Sequence, residues 1–359
     1  MTDGTQTSGL ANTAADPQSG GRAAVLAGLG AAVPPRVMDN DEISHLVGSD
    51  DTWIRTRTGI TARHWVAPGV ATGDLAVAAG ARALESAGTD AVDLVILATS
   101  TPNQPMPATA PEVAAALGLG DIPAYDLSAA CTGFVYALSA AAGAIAAGIA
   151  ARVLVIGADI WSNRLDLMDR STAVLFGDGA GAAVLRAGSP TEPGALAGFD
   201  LGSDGTGYEL AVLPAGGSRR RATGEAPTEE ENYLAMQGKQ IFTHAVARMS
   251  GSSTALLKRI GWDTADVDRL VAHQANARIL HMVADVLGVD RERAIIHLDR
   301  VGNTSAASIP LALTDAASQG HITAGHKVLL TAFGGGLSWG SAALTWPEIK
   351  VAEVGILAQ

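Results

Sequence analysis

The sequence predicts an α/β protein built on a buried, largely parallel sheet. Short apolar runs of strand length recur at 24–29, 94–99, 153–157, 182–185, 269–271, 294–296 and 328–332. Helical patterns fall between several of them, at 75–86, 111–117, 133–150, 237–258, 277–287 and 309–319. The chain is also 48% hydrophobic and 17% charged over 359 residues, which suits a large core and rules out wholesale disorder.

Taken in order, residues 1–21 are polar, with no basic start and no apolar core. They read as a disordered tail rather than a secretory leader. The runs at 24–29, 94–99 and 153–157 are apolar throughout, as strands covered on both faces are. The uncharged stretch 124–151 is broken by Asp126, and its part from 133 onward is mostly Ala, Gly and Ile. That composition and the missing basic flank favour a buried central helix over a membrane span. Each half runs strand, helices, then a late Gly-rich strand, at 176–181 and 333–336, which hints at duplicated βαβ halves. Gly188-Ser189-Pro190-Thr191-Glu192-Pro193-Gly194 breaks regularity, so halves at 22–190 and 191–359 are expected. A polar stretch, 216–232, with Arg219–Arg221 and then Glu229, Glu230 and Glu231, reads as an exposed loop.

Net charge is −12. That argues against a nucleic-acid binder, which normally carries a basic face, but leaves room for an acidic carrier partner met by a local basic patch. The single cysteine, Cys131, excludes an intrachain disulfide and fits a reducing, cytoplasmic setting.

Cys131 follows a strand-like piece, 124–127, and opens the Ala-rich helix. The positive end of a helix favours a thiolate, and Ala129, Ala130 and Gly133 leave room for a substrate. A buried structural cysteine is the competing reading. His273, in Ala272-His273-Gln274-Ala275-Asn276, lies just past a strand end, where a core histidine is the plain alternative. Asn303, in Gly302-Asn303-Thr304-Ser305, would otherwise be a cap or turn residue. Together the three change meaning. Each follows a strand or turn and precedes a helix, where α/β sheets place their sites. A thiol can accept an acyl group, while an Asn amide and a neutral His Nε2–H can both donate to a thioester enolate oxygen.

Gly334-Gly335-Gly336, after the strand at 328–332, can bring backbone N–H groups close to a carbonyl oxygen, or can be a simple tight turn. Gly177-Asp178-Gly179-Ala180-Gly181 lacks the Lys-Ser/Thr of a phosphate loop and precedes a strand, so it is read as structural. Trp53, with Arg55 and Arg57, could stack on a base and pair with phosphates, or could be a surface indole under an arginine stem.

These motifs in this order resemble the β-ketoacyl-ACP synthase III family over roughly residues 22–346. The matching segments are 129–134, 273–276, 302–308 and 333–336. The resemblance implies a thiolase-like fold in five layers, αβαβα, and a homodimer. It implies that Cys131 takes an acyl starter from acyl-CoA. Malonyl-ACP then binds, and His273 and Asn303 assist its decarboxylation. The enolate attacks the acyl-Cys131 thioester, initiating a fatty acid or polyketide. The N–H groups of Cys131 and Gly335 become the oxyanion hole. Trp53 and Arg57 match positions that hold the CoA adenine, Gly238 and Ala275 match the pantetheine tunnel, and Phe333 matches a residue that shapes the decarboxylation pocket. No metal and no resident cofactor are implied, and neither is a membrane partner.

The chain departs from the family pattern at several points. A second CoA-contacting Arg is replaced by Asn163, with Arg164 beside it as the expected substitute. Arg278 is kept for carrier docking, but a basic pair falls at Asp285 and Val286, and another basic position is Thr243. Met106 stands where a large Phe often closes the partner subunit's acyl pocket, and a flexible thioether suggests starters longer than acetyl, or branched. An acyltransferase acting on a hydroxyl or amine is the rival reading, but simple transfer needs no enolate stabilisation. An inactive partner subunit would not require the thiol. A thiolase-type reaction usually needs a second Cys, and a hydroxymethylglutaryl-CoA-synthase type a carboxylate base, for which the sequence offers no convincing candidate.

Overall fold

The computed structural model describes residues 21–358. The tail expected at 1–21 lies outside them apart from Gly21.

Two sheets organise the chain. The first contains β1 (Ala23–Val33), β4 (Leu94–Ala98), β5 (Ala124–Leu127), β6 (Arg152–Asp159), β7 (Gly179–Gly188) and β14 (Gly355–Ile356), in the order β14-β1-β7-β6-β4-β5. The second contains β8 (Leu196–Ser203), β11 (Arg269–Ala272), β12 (Lys327–Gly334) and β13 (Ser338–Thr345), in the order β11-β12-β13-β8. Two small pairs, β2 (Arg36–Asp39) with β3 (Ala62–Trp65) and β9 (Ala211–Val212) with β10 (Ala235–Met236), flank them.

The main helices are α3 (Thr72–Ser86), α4 (Ala110–Ala116), α5 (Gly133–Ala146), α7 (Gly238–Ile260), α8 (Ala277–Leu287) and α10 (Ser308–Ser318). Shorter ones are α1 (Asn40–Val47), α2 (Asp51–Thr58), α6 (Ser218–Arg221) and α9 (Leu298–Val301). Three apolar clusters fix the layers. Leu75, Ala79 and Val113 of α3 and α4 pack on Val95, Leu97 and Ile156, the outer face of the first sheet. Phe134, Leu138 and Ile145 of α5, with Ile309 and Leu313 of α10, fill the space between the sheets, against Ile96 and Val155 on one side and Leu330 and Ala342 on the other. Met249 and Leu256 of α7, with Val283 and Leu287 of α8, cover the outer face of the second sheet. The result is the αβαβα order. It also explains why α5 is apolar nearly all round, since it is covered on two sides.

The sheets are mixed rather than largely parallel. β4 runs parallel to β5 and β6, and β11 to β12, but β7 is antiparallel to β1 and β6, and β13 to β12 and β8. Helices on both faces make antiparallel strands read as continuous apolar runs, which is why pattern alone suggested parallel ones. The expected strand at 294–296 is only an isolated bridge from Ala294 to Leu270, because the Gln274 amide takes the Ile295 carbonyl at 3.0 Å. The first Gly-rich strand starts at Gly179, not 176. Residues 216–232 include α6 and are tied by an Arg220–Glu231 ion pair at 2.7 Å. Among the described residues no helix is long and apolar enough to cross a membrane.

Candidate active site

Cys131 lies in a tight turn, Ala130–Thr132, between β5 and α5. Ala130 takes φ 46°, a conformation unusual for a residue with a Cβ. The turn puts the thiol at the N-terminal end of α5. Burial pushes the thiol pKa up to about 12, and the nearby Asp159 carboxylate adds to that. A hydrogen bond to the Ser305 hydroxyl, Sγ to Oγ 3.6 Å, opposes it. A Cβ on Gly334 would lie 2.8 Å from the Cys131 nitrogen. Glycine is therefore what lets the end of β12 press against the nucleophile turn.

His273 follows β11 and is anchored by its own N–H to the Thr331 carbonyl at 2.8 Å. Its Nδ1 is 2.7 Å from the Ser308 hydroxyl, the first residue of α10. Burial drives its pKa down to about 3, so the ring is neutral. With Nδ1 engaged by Ser308, Nε2 is the nitrogen left for the cavity. Next to it, Gln274 locks the local path, donating to the Ala272 and Ile295 carbonyls and accepting from His297 and Leu298.

Asn303 is clamped through its backbone. Its N–H donates to Leu175 O at 2.8 Å, and its carbonyl accepts from Gly177 N at 3.1 Å. The side-chain oxygen accepts from Ser305 N at 2.9 Å, so the amide nitrogen is the end offered to the cavity. A Cβ on Gly157 would fall 2.3 Å from the Ala306 carbonyl oxygen. The bare glycine allows β6 to support this loop directly. Gly177 and Asp178, read as structural, do serve that role: Asp178 accepts from Val66, Trp161 and Ser162.

Cys131, His273, Asn303, Phe333, Gly334 and Gly335 line one cavity of about 820 Å³, within the range of small-molecule sites. Its lining continues to Gly238, Ala275 and Arg278, and to Trp53 and Arg57. The Arg57 guanidinium stands 5.8 Å from the Trp53 ring centre, and Arg170 stands 5.2 Å from it. Asn276 joins these two regions: it caps α8 and donates to Arg57 O at 3.0 Å. Arg278 lies over the Phe242 ring at 5.7 Å.

Two expected residues are not part of this lining. Arg164 is absent from it, whereas Arg170 lines it beside Trp53. Met106 is 84% exposed and does not line the cavity of its own chain. Sequence reasoning missed Arg170, Ser305, Ser308 and Asp159. For Asp159 a signal existed: a lone carboxylate closes an apolar strand and is followed by Ile160 and Trp161. Among the described residues no three His, Cys, Asp or Glu side chains cluster as metal ligands would.

Fold and site define a thiolase-like condensing enzyme of the acyltransferase type. Residues 125–205 match the family model described as 3-oxoacyl-[acyl-carrier-protein (ACP)] synthase III, and residues 257–346 match the model of its C-terminal part. The chain is 59% identical over 327 residues to β-ketoacyl-[acyl-carrier-protein] synthase III 5 of Streptomyces coelicolor, covering 91% of this chain and 98% of that protein. The crystal structure of 3-oxoacyl-(acyl carrier protein) synthase III from Pseudomonas aeruginosa superposes with TM-score 0.86 at 49% identity, over 92% of this chain and all of that one. The priming β-ketosynthase of a polyketide biosynthetic pathway superposes with TM-score 0.85 at 36% identity, over 91% and 97%. The chain belongs to the β-ketoacyl-ACP synthase III family.

Proposed function

We propose that Cys131 takes an acyl starter from acyl-CoA, and that the acyl-enzyme condenses with malonyl-ACP, with loss of CO₂, to initiate a fatty acid or polyketide. One observation carries the assignment of roles: a thiol at a helix N-terminus shares a cavity with two side chains, His273 and Asn303, each fixed so that a nitrogen faces the ligand. The thiolate attacks the starter carbonyl, whose oxygen is held by the N–H groups of Cys131 and Gly335. CoA leaves as its thiol. Malonyl-ACP then loses CO₂ beside Phe333, in a largely apolar pocket that disfavours the carboxylate. The enolate oxygen receives hydrogen bonds from His273 Nε2–H and Asn303 Nδ2. Its carbon attacks the acyl-Cys131 thioester and expels the Cys131 thiolate, which takes a proton from water if it is to return to the thiol. A neutral imidazole supports this reading, because it donates from Nε2 at neutral pH without waiting for a proton. A hydroxyl or amine acceptor would leave the fixed Asn303 amide without a task.

Trp53 between two guanidiniums suits an adenine and its phosphates, with Arg57 and Arg170 as the basic pair. The pantetheine arm then runs past Gly238 and Ala275, and Arg278 at the mouth meets the carrier protein. This chemistry needs no resident cofactor, and a free thiol fits the reducing cytoplasm. We read 22–190 and 191–359 as halves that bring Cys131 and the His273/Asn303 pair to one seam. A homodimer is supported by β5, which ends the first sheet with an edge unpaired among the described residues and a 40% exposed Tyr125, and by the exposed Met106.

The test is intact-mass measurement after incubation with a panel of acyl-CoAs, with Cys131→Ala as control. A mass gain on the wild type alone, discharged by malonyl-ACP as a ketoacyl product with CO₂ release, is the expected result. No gain from any acyl-CoA would remove the CoA assignment of Trp53 and Arg57.

A further inference from the structure

Two backbone N–H groups from distant segments of the chain have to meet one oxygen in the proposed reaction. The Cys131 N–H comes from the turn before α5, and the Gly335 N–H from the turn between β12 and β13. Behind that meeting lie two buried hydroxyls, Thr132 and Ser338, which are not among the residues lining the cavity. Their oxygens are 2.5 Å apart. Thr132 Oγ1 also reaches the Ala129 carbonyl at 2.5 Å. Ser338 Oγ lies 3.2 Å from the same carbonyl and 3.2 Å from the carbonyl of Gly335.

The two hydroxyls therefore grip both turns. Ala129 and Thr132 bracket the nucleophile, and the Thr132 N–H closes its turn onto the Ala129 carbonyl at 3.1 Å. Gly335 gives one carbonyl to the cluster and carries the second N–H. Each hydroxyl has a single proton, so one donates to the other and the remaining proton goes to Ala129 O or Gly335 O. In every arrangement the bridge crosses from the Cys131 turn to Ser338, the first residue of β13. Gly334 sets how closely the turns approach, since a Cβ there would lie 2.8 Å from Cys131 N and 3.1 Å from Thr132 N. Contact alone fixes a minimum distance and leaves the turns free to slide or part. A directional bond removes that freedom. Parting the turns also strands two buried hydroxyls, which is unfavourable on both sides.

We propose that Thr132 and Ser338 are positioning residues that set the spacing of the Cys131 and Gly335 N–H groups around the thioester oxygen. They touch no reacting atom and act through the backbone on either side. This rests on the acyl-transfer role proposed for Cys131. The oxyanion forms twice, when the Cys131 thiolate attacks the donor thioester and when the enolate attacks acyl-Cys131. Loss of the bridge therefore slows both acyl transfers.

The test compares two reactions of Cys131, the only cysteine in the chain. Acylation builds an oxyanion, whereas alkylation by iodoacetamide displaces iodide and builds none. Intact mass follows both. Thr132→Val keeps the side-chain shape and removes the hydroxyl. Its acylation should fall about tenfold, less than the loss of about a hundredfold or more for deleting an oxyanion donor outright. Its alkylation should stay within about twofold of the wild type, because no oxyanion needs to be held. Thr132→Ser returns the hydroxyl and should restore acylation. Ser338→Ala breaks the bridge from the other side and should reproduce the Thr132→Val result, so it decides if Thr132→Val does not fold. Unchanged acylation in these variants overturns the proposal. So does a parallel fall in acylation and alkylation, which marks a general disturbance of the turn. Two donors keep the substrate reading separate: an acyl-CoA, and the same acyl group on N-acetylcysteamine, which presents the thioester without the nucleotide. Wild-type acylation from the cysteamine thioester alone removes the acyl-CoA reading, and the bridge is then judged on that donor. Acylation from neither donor overturns both.

Discussion

His273 and Asn303 each owe their orientation to a serine of the 303–308 segment, a hydroxyl for the first and a backbone amide for the second. Ser308 at 2.7 Å holds His273 Nδ1, and Ser305 N at 2.9 Å holds Asn303 Oδ1. Removing the Ser308 hydroxyl frees the imidazole to choose its tautomer and leaves Nδ1 unpartnered. Ser308→Ala should slow malonyl decarboxylation by about tenfold to a hundredfold, within the range for losing an aligned donor, while acylation of Cys131 changes far less. Separate assays of the two half-reactions measure this. The neutral ring also has a stability signature. A histidine lowered to about 3 stays unprotonated where the unfolded chain, near 6.5, takes up a proton. Its contribution is complete above about pH 6.5 and is lost as pH falls towards 3. Asp178 works in the opposite direction: burial raises it to about 6, so the folded state holds a proton that the unfolded state releases between about 6 and 3.8. From pH 7 to 5 the histidine term costs about 2 kcal/mol. Urea titrations should find that His273→Asn loses less stability than the wild type over that interval.

At the scale of elements, β3 supports the active site from behind. Arg63 is fully buried, and its guanidinium donates to Met38 O, Asn40 Oδ1 and Val174 O. Trp65 Nε1 donates to Phe176 O, and the Asp178 N–H donates to His64 O. The segment they hold, 174–178, in turn clamps the backbone of Asn303. Burial lowers Arg63 to about 10, so it is still a cation at neutral pH. Arg63→Met leaves buried acceptors unpaired and should cost about 2–4 kcal/mol. Condensation should suffer more than acylation, because the clamp acts on Asn303 and not on Cys131. The Gly334 contact makes the converse prediction. Gly334→Ala forces the Cys131 turn aside and should reduce acylation by about tenfold or more, since small displacements at a reacting centre are costly. Mass-resolved acylation rates for both variants check the pair.

For the whole molecule, the proposed homodimer would use both the edge of β5, open among the described residues, and the exposed Met106. Sedimentation at micromolar concentration should give twice the chain mass. If Met106 closes the partner's acyl pocket as proposed, a larger, stiffer side chain there should narrow that pocket. Met106→Phe is expected to shift the acylation profile towards short starters, and an unchanged profile would detach Met106 from starter choice. On α8, Asp285 is engaged by Arg291 and Val286 is 59% exposed, which leaves Arg278 as the arginine of α8 for the proposed carrier docking. Arg278→Glu should raise the KM for malonyl-ACP and leave acylation by acyl-CoA close to the wild-type rate.

The sequence by itself determined the α/β class and the central apolar helix, and it singled out Cys131, His273 and Asn303, which line one cavity. Period, composition and residue type are local properties, and the motifs around Cys131, His273, Asn303 and Gly334–Gly336 are short and contiguous. Strand direction was not legible, because helices on both faces erase the alternation that marks an antiparallel strand. Nor were Arg170 beside Trp53, Ser308 behind His273, or the hydrogen bond from Ala306 N to Asp159. Those are meetings between segments far apart in the chain. Only tertiary structure decided them, because burial and hydrogen-bond partners depend on which segments pack together, and no local pattern encodes that.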